Sequence, residues 1–188
     1  MTTPPSDWIA RWAHLIPAGA RVLDVACGGG RHLRWLAGQQ ADLRLTGVDR
    51  DAAATEPLRG LARIVVADIE NGPWPFDGER FDAVVVTNYL WRPLLPTLIQ
   101  AVAPGGVLLY ETFASGNERF GRPSRPDFLL RPGELLEAVG IDLQVLGYES
   151  GRLGQPDRVV QRLAARRAAT LLADDAPAPL PEWPHRPG

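Results

Sequence analysis

Short apolar runs alternate with stretches of helical periodicity along most of this chain. Residues 21–26 (RVLDVA) are apolar and β-branched and predict a buried strand, and residues 31–37 continue with helical spacing. A second strand is predicted over 43–48, followed by a short helix from Asp51 that Pro57 limits. Residues 63–67 (RIVVA) and 81–87 (FDAVVVT) read as strands three and four. Residues 93–102 read as a helix, APGG at 103–106 as a strand-breaking turn, and 107–111 as strand five. The stretch RPGELLEAVG predicts a helix over 132–139 that Gly140 stops. Residues 143–149 and 158–164 close the pattern as two strands joined by SGRLGQPD, an antiparallel pair.

Strands separated by helices imply right-handed crossovers and a mostly parallel sheet covered on both faces. The expected fold class is therefore α/β: a doubly wound, mostly parallel seven-stranded sheet with an antiparallel edge strand. Residues 6–15 (SDWIARWAHL) carry apolar side chains at 8, 9, 12, 13 and 15, an amphipathic helix with Ser6 or Asp7 as its cap. Residues 1–19 read as a helical cover on a domain spanning 1–172. The segment 173–188 holds five prolines and predicts a disordered tail, with Trp183 its one large aromatic.

At 188 residues the chain suits one ordinary domain, and 45% hydrophobic with 22% charged residues is the composition of a soluble globular protein. A formal net charge of −2 supplies no global basic field for nucleic acid or anionic membrane. The first seven residues are polar and Pro-rich, unlike a signal peptide, and no apolar run approaches membrane-spanning length. The expected location is cytoplasmic, as a monomer or homodimer. A single cysteine, Cys27, excludes an intrachain disulfide and a multi-cysteine metal site. His14, His32 and His185 are isolated from carboxylate clusters, so no metal is expected. No G-x-S-x-G is present to support a hydrolase triad.

The stretch LDVACGGGRHLRWL, residues 23–36, runs from a strand through a glycine turn into a helix. That arrangement is the general nucleotide cradle of doubly wound folds. The dinucleotide fingerprint G-x-G-x-x-G would need glycine at 33, where Leu33 stands. Asp24, four residues before Gly28, would repel a pyrophosphate but suits an ammonium or sulfonium. The expected ligand is a nucleoside with a cationic amino-acid end.

These residues resemble the class I S-adenosylmethionine-dependent methyltransferases, which have a Rossmann-like fold. VLDVACGGG is similar to their first motif, GVDRD at 47–51 to the second and VADIE at 66–70 to the third. FDAVVVTNYL at 81–90 and APGGVLLYETF at 103–113 resemble the fourth and fifth, so the likeness covers about residues 20–165. The resemblance implies S-adenosyl-L-methionine as cofactor, with Asp24, Ala26, Cys27, Gly28 and Gly30 around its methionyl part. Arg31 would meet the cofactor carboxylate. Asp49, followed by Arg50, would accept the ribose hydroxyls, and Asp68 with the backbone of Ile69 would hold the adenine. Asn88 and Tyr89 would lie beside the transferring methyl, and the glycines of the first motif would let the backbone approach the methionyl part. Cys27 reads as a packing residue and not as a nucleophile.

Strand five leads into residues 110–135, a long segment with Arg119, Arg122, Arg125 and Arg131 interleaved with Phe113 and Phe120. Its length and aromatics predict an ordered lid over the substrate. Phe113, Arg119 and Arg122, with Tyr89, are the candidate substrate-binding residues. Tyr89 and Glu111 are the candidate general bases, needed only if the acceptor must lose a proton. The short body and the FLLRPGEL ending are similar to compact small-molecule methyltransferases of the tellurite-resistance and thiopurine type. The expected activity is in-line methyl transfer to a small molecule. An RNA methyltransferase and a catalytically silent cofactor-binding module are the alternatives; NYLW after strand four lacks the N/D-P-P-Y/F tetrad of many nucleic-acid enzymes.

Overall fold

The computed structural model describes residues 3–39 and 42–169. The Pro-rich tail assigned to 173–188 lies outside them. The strands are β1 (Arg21–Val25), β2 (Arg44–Asp49), β3 (Arg63–Val66), β4 (Phe81–Thr87), β5 (Val102–Phe113), β6 (Gln144–Leu153) and β7 (Arg158–Arg166). The helices are α1 (Asp7–Trp12), α2 (Arg31–Gln39), α3 (Ala52–Thr55), α4 (Leu95–Gln100) and α5 (Glu134–Val139). The sheet order is β3-β2-β1-β4-β5-β7-β6, with β1 to β5 parallel. The antiparallel strand is β7, inserted between β5 and β6. The strand order reverses beside β1, so the carboxyl ends of β1 and β4 flank the crevice where open α/β sheets bind ligands.

Alternation in the strands sends side chains to two cores. Leu23, Val25, Val84, Val86, Leu108 and Leu163 pack with Leu95, Leu98, Leu135 and Val139 of α4 and α5. Val22, Ala83, Val85, Leu109 and Ala164 pack on the other face with Trp8 and Ile9 of α1 and Leu33 and Leu36 of α2. Ser6 caps α1, its hydroxyl accepting from Trp8 N–H at 3.1 Å. Trp8 is fully buried and its indole N–H donates to the Leu163 carbonyl at 3.1 Å, which fixes the N-terminal cover to β7. No helix among the described residues is long and apolar enough to cross a membrane.

The APGG sequence does not end a helix and begin a strand as its composition predicts. Strand β5 starts at Val102 and runs through it, with the pairing jumping from Phe81↔Val102 to Ala83↔Val107. The extra residues bulge out, with Gly105 at φ 76°. A Cβ on Gly106 would lie 2.9 Å from the Asp82 carbonyl, so only glycine lets the two backbones approach there. The first half of the hairpin SGRLGQPD is also strand, because β6 continues to Leu153.

The segment after β5 is tied at both ends. Ala114 bridges to Leu130, and the buried Asn117 donates to the Pro123 carbonyl and accepts from Val159 N–H. Arg92 secures its far end, forking onto both carboxylate oxygens of Glu134 and donating to the carbonyls of Asp127 and Leu129.

Candidate active site

Three cavities line up along the carboxyl ends of the parallel strands. The first, about 150 Å³, is lined by Ala26, Asp49, Arg50, Ala67, Asp68, Ile69, Glu70 and Tyr89. The second, about 360 Å³, shares Ala26 with it and adds Asp24, Cys27, Arg31, His32, Thr87 and Asn88. The third, about 550 Å³, shares Arg31 and Asn88 with the second and is walled by Glu111, Phe113, Arg122 and Arg158. Thr3 of the N-terminal segment borders both larger cavities.

The turn between β1 and α2 is held by Asp49, whose Oδ2 accepts from Gly28 N–H at 2.7 Å while Oδ1 accepts from Asp51 N–H at 2.9 Å. The glycines of this turn serve different ends. Gly28 needs its positive φ of 51° and has open space where a Cβ would sit. At Gly30 the missing Cβ makes room for the protein itself, since Leu58 Cδ2 would lie 2.5 Å away.

Three non-glycine residues have left-handed backbones among the described residues: Ala26 at φ 52°, Asn88 at 54° and Gln155 at 56°. Each lines one or more of the cavities, and backbone strain of this kind concentrates at functional sites. Relieving it at Ala26 is a direct test. The left-handed alanine costs about 1–2 kcal/mol, and glycine's greater unfolded-state freedom offsets about 0.5–1 kcal/mol of that gain. Ala26→Gly is therefore expected to raise stability by up to about 1.5 kcal/mol in urea unfolding; a destabilised variant would show that the alanine methyl packs favourably enough to outweigh the strain.

Asp24 is buried beneath the second cavity, with Oδ2 lacking any hydrogen-bond partner. Burial pushes its pKa up to about 8, against the pull of Arg31 and with the repulsion of Asp49. His32, also buried, is pushed down to about 3 by burial and then by Arg31, so its ring is neutral. The 3.9 Å approach of its Nδ1 to Asp24 Oδ2 is thus not an ion pair. Burial, then the carboxylates of Asp24 and Asp49, pushes the Cys27 thiol up to about 12, which leaves it no nucleophilic thiolate.

Asp68 is exposed and pre-shaped by its own turn. Its oxygens accept from the backbone N–H groups of Glu70 and Asn71 and from the Asn71 side chain, which together hold its carboxyl below the usual carboxylate range. Tyr89 lies in this first cavity and not in the one with Phe113 and Arg122. Burial, with the charges of Glu70 and Asp68, raises its phenol further above neutrality. Glu111 does line the third cavity, but Arg162 Nε sits 2.7 Å from its Oε2 with both side chains nearly inaccessible. The pair belongs to a ladder across the sheet: Glu149 faces Arg162 from β6 at 3.2 Å, and Arg11 of α1 meets Glu149 at 2.7 Å.

The loop arginines separate. Arg122 borders the third cavity, whereas Arg119 is exposed on the adjoining turn and is not part of its wall. Arg158, on the β6–β7 hairpin, is a wall residue that the sequence pattern did not single out, as are Thr3 and His32 around the second cavity. Two of the third cavity's carboxylates are neutralised within the protein, Glu111 by Arg162 and Asp157 by Arg152 at 2.5 Å. That leaves Arg31, Arg122 and Arg158 facing Asp7 alone.

A model of the methyltransferase domain matches residues 22–106, from β1 into the β5 bulge. The chain is 35% identical over 116 residues to a trans-aconitate 2-methyltransferase of Paracidovorax citrulli (strain AAC00-1), covering 57% of this chain and 43% of that protein. It is 41% identical over 68 residues to a ribosomal RNA small subunit methyltransferase H of Picosynechococcus sp. (strain ATCC 27264 / PCC 7002 / PR-6), covering 34% and 23%. The matches thus span less than half the length of the curated relatives. The crystal structure of a TehB-like SAM-dependent methyltransferase from Corynebacterium glutamicum shares the fold at TM-score 0.63 and 20% identity, covering 87% of this chain and 89% of that one. With its five motif-like stretches in order on this sheet and the methyltransferase-domain match across its first strands, the chain is similar to the S-adenosylmethionine-dependent methyltransferases and shares their fold.

Proposed function

We propose that the protein transfers a methyl group from S-adenosylmethionine to a small acidic molecule. The observation that carries this reading is the row of three connected cavities, with Arg31 and Asn88 shared between the second and the third. The residues fit the cofactor: Asp24 offers a buried, unpartnered carboxylate oxygen for an ammonium. Asp49 keeps a lone pair on each oxygen for ribose hydroxyls, and Arg31, in the first turn of α2, offers a cation for the carboxylate. Asp68 and the Ile69 backbone border the small cavity that would take the adenine. Bound here, S-adenosylmethionine supplies a methyl group already activated by its sulfonium.

The protein's task is then to hold the acceptor in line at the Arg31–Asn88 junction, and such positioning accounts for several kcal/mol of a barrier. The third cavity's surplus of guanidinium groups suits an acceptor with carboxylates, which Arg forks bind bidentately. A carboxylate oxygen has no proton to lose, which fits a wall where Glu111 is committed to Arg162 and Tyr89 lies elsewhere. The trans-aconitate methyltransferase relative supports an acidic acceptor. The ribosomal RNA relative supports a second reading, but phosphate backbones call for an extended basic track, and here Arg31, Arg122 and Arg158 converge on one cavity.

The test is transfer of labelled methyl from S-adenosylmethionine to a panel of mono-, di- and tricarboxylic acids, phenols, thiols and bulk RNA. Label is expected in an acid. In Arg122→Ala and Arg158→Ala the KM for that acid should rise about tenfold or more, as for loss of a charged hydrogen bond, with cofactor affinity unchanged. Label appearing in RNA alone would overturn the acidic small-molecule reading.

A further inference from the structure

The mouth of the second cavity is bordered by the N-terminal segment, and the two are joined at one point. Ser6 N–H donates to His32 Nε2 at 3.2 Å, with both residues buried. A backbone N–H can only donate, so Nε2 must be the lone-pair nitrogen of the ring. A neutral imidazole then carries its proton on Nδ1. That nitrogen faces Thr87 Oγ1 at 3.5 Å and the unpartnered Asp24 Oδ2 at 3.9 Å. Arg31 reaches the same Thr87 hydroxyl at 3.5 Å. Residues 3–6 therefore cross the site attached to the ring that backs its buried carboxylate. The other side of the attachment is rigid, because Ser6 caps α1 and Trp8 is locked to β7.

We propose that His32 is a positioning residue which pins residues 3–6 over the site through Ser6 N–H and turns its Nδ1–H toward Asp24, holding that carboxylate for the ammonium of the ligand. This rests on the S-adenosylmethionine reading and extends it: the N-terminal segment becomes part of the amino-acid subsite, and His32 contacts no reacting atom. Its effect should fall on ligands that carry the amino-acid end and spare those that lack it.

Two probes separate these cases. S-adenosylhomocysteine has the amino-acid end, whereas 5′-methylthioadenosine keeps the nucleoside and ends in a thioether methyl. Ser6 has φ −61°, which proline adopts without strain, so Ser6→Pro deletes the N–H that latches His32. Ser6→Ala removes the helix cap while keeping that N–H. His32→Gln keeps an acceptor for Ser6 but presents no ring N–H to Asp24.

By titration calorimetry on the full chain, Ser6→Pro and His32→Gln are each expected to bind S-adenosylhomocysteine about tenfold more weakly, the scale of a hydrogen bond involving a charged group. Their affinity for 5′-methylthioadenosine, and both affinities of Ser6→Ala, should match the unmodified protein. Equal weakening of both ligands, or of neither, in the Ser6 pair would overturn the positioning role. Unmodified protein that binds neither probe would overturn the cofactor reading and this proposal with it.

Discussion

Asp49→Ala is expected to weaken S-adenosylmethionine binding by about 30- to 150-fold, the equivalent of about 2–3 kcal/mol for two charge-assisted hydrogen bonds to the ribose. The structure places this effect toward the upper end. Each Asp49 oxygen already accepts one backbone N–H, from Gly28 at 2.7 Å and from Asp51 at 2.9 Å. The same carboxylate thus shapes the glycine turn that it would share with the ligand, and alanine removes both functions. Asp49→Asn keeps the shape but turns an NH₂ toward one of those two N–H donors, so its loss should be intermediate. Titration calorimetry on variants with native near-UV circular dichroism measures both. Unchanged affinity in folded Asp49→Ala would remove the ribose assignment.

Much of this arrangement is legible in the sequence because it is local. The strand–turn–helix at 21–37 is written in one continuous stretch, and the acids ending β2 and following β3 are each next to their own strand. The strands β1 to β4 are short, mostly apolar and rich in β-branched residues, the pattern of a mostly parallel sheet covered by helices. What sequence pattern could not supply is long-range pairing. APGG reads as a breaker from its residues alone, yet β4 lies close enough to keep the chain in the sheet as a bulge. Arg162 looks like one more charge in a strand until the register sets it opposite both Glu111 and Glu149. Arg158 reaches the third cavity only because β7 turns back between β5 and β6. His32 sits in the helix pattern as a polar interruption, and only the docking of α1 reveals that its ring faces Ser6.

The second large effect is on pH. Affinity for S-adenosylmethionine is expected to rise about tenfold per pH unit from 6 to 8 and then level off. In the free protein Asp24 holds its proton up to about 8, because burial outweighs the nearby guanidinium of Arg31. On the proposed reading the ligand's ammonium needs the ionised carboxylate, so below that value each binding event must expel a proton. Every unit of pH below 8 then costs one decade of affinity. The sign for folding is the reverse of the usual carboxylate case: a pKa raised from 3.8 means the folded state binds the proton more tightly than the unfolded chain. Asp24 therefore takes stability away from the free protein as pH rises from about 4 to 8, and the ligand's cation returns it. His32 acts in a separate, lower window, since a ring held down at about 3 loses stability as pH falls below 6.5. Titrations at pH 6.5 in two buffers of different ionisation enthalpy should show release of close to one proton per ligand bound, and Asp24→Asn should abolish both the release and the slope. A flat affinity profile for the unmodified protein would mean that Asp24 is already ionised in the free site, with Arg31 and not burial governing its charge.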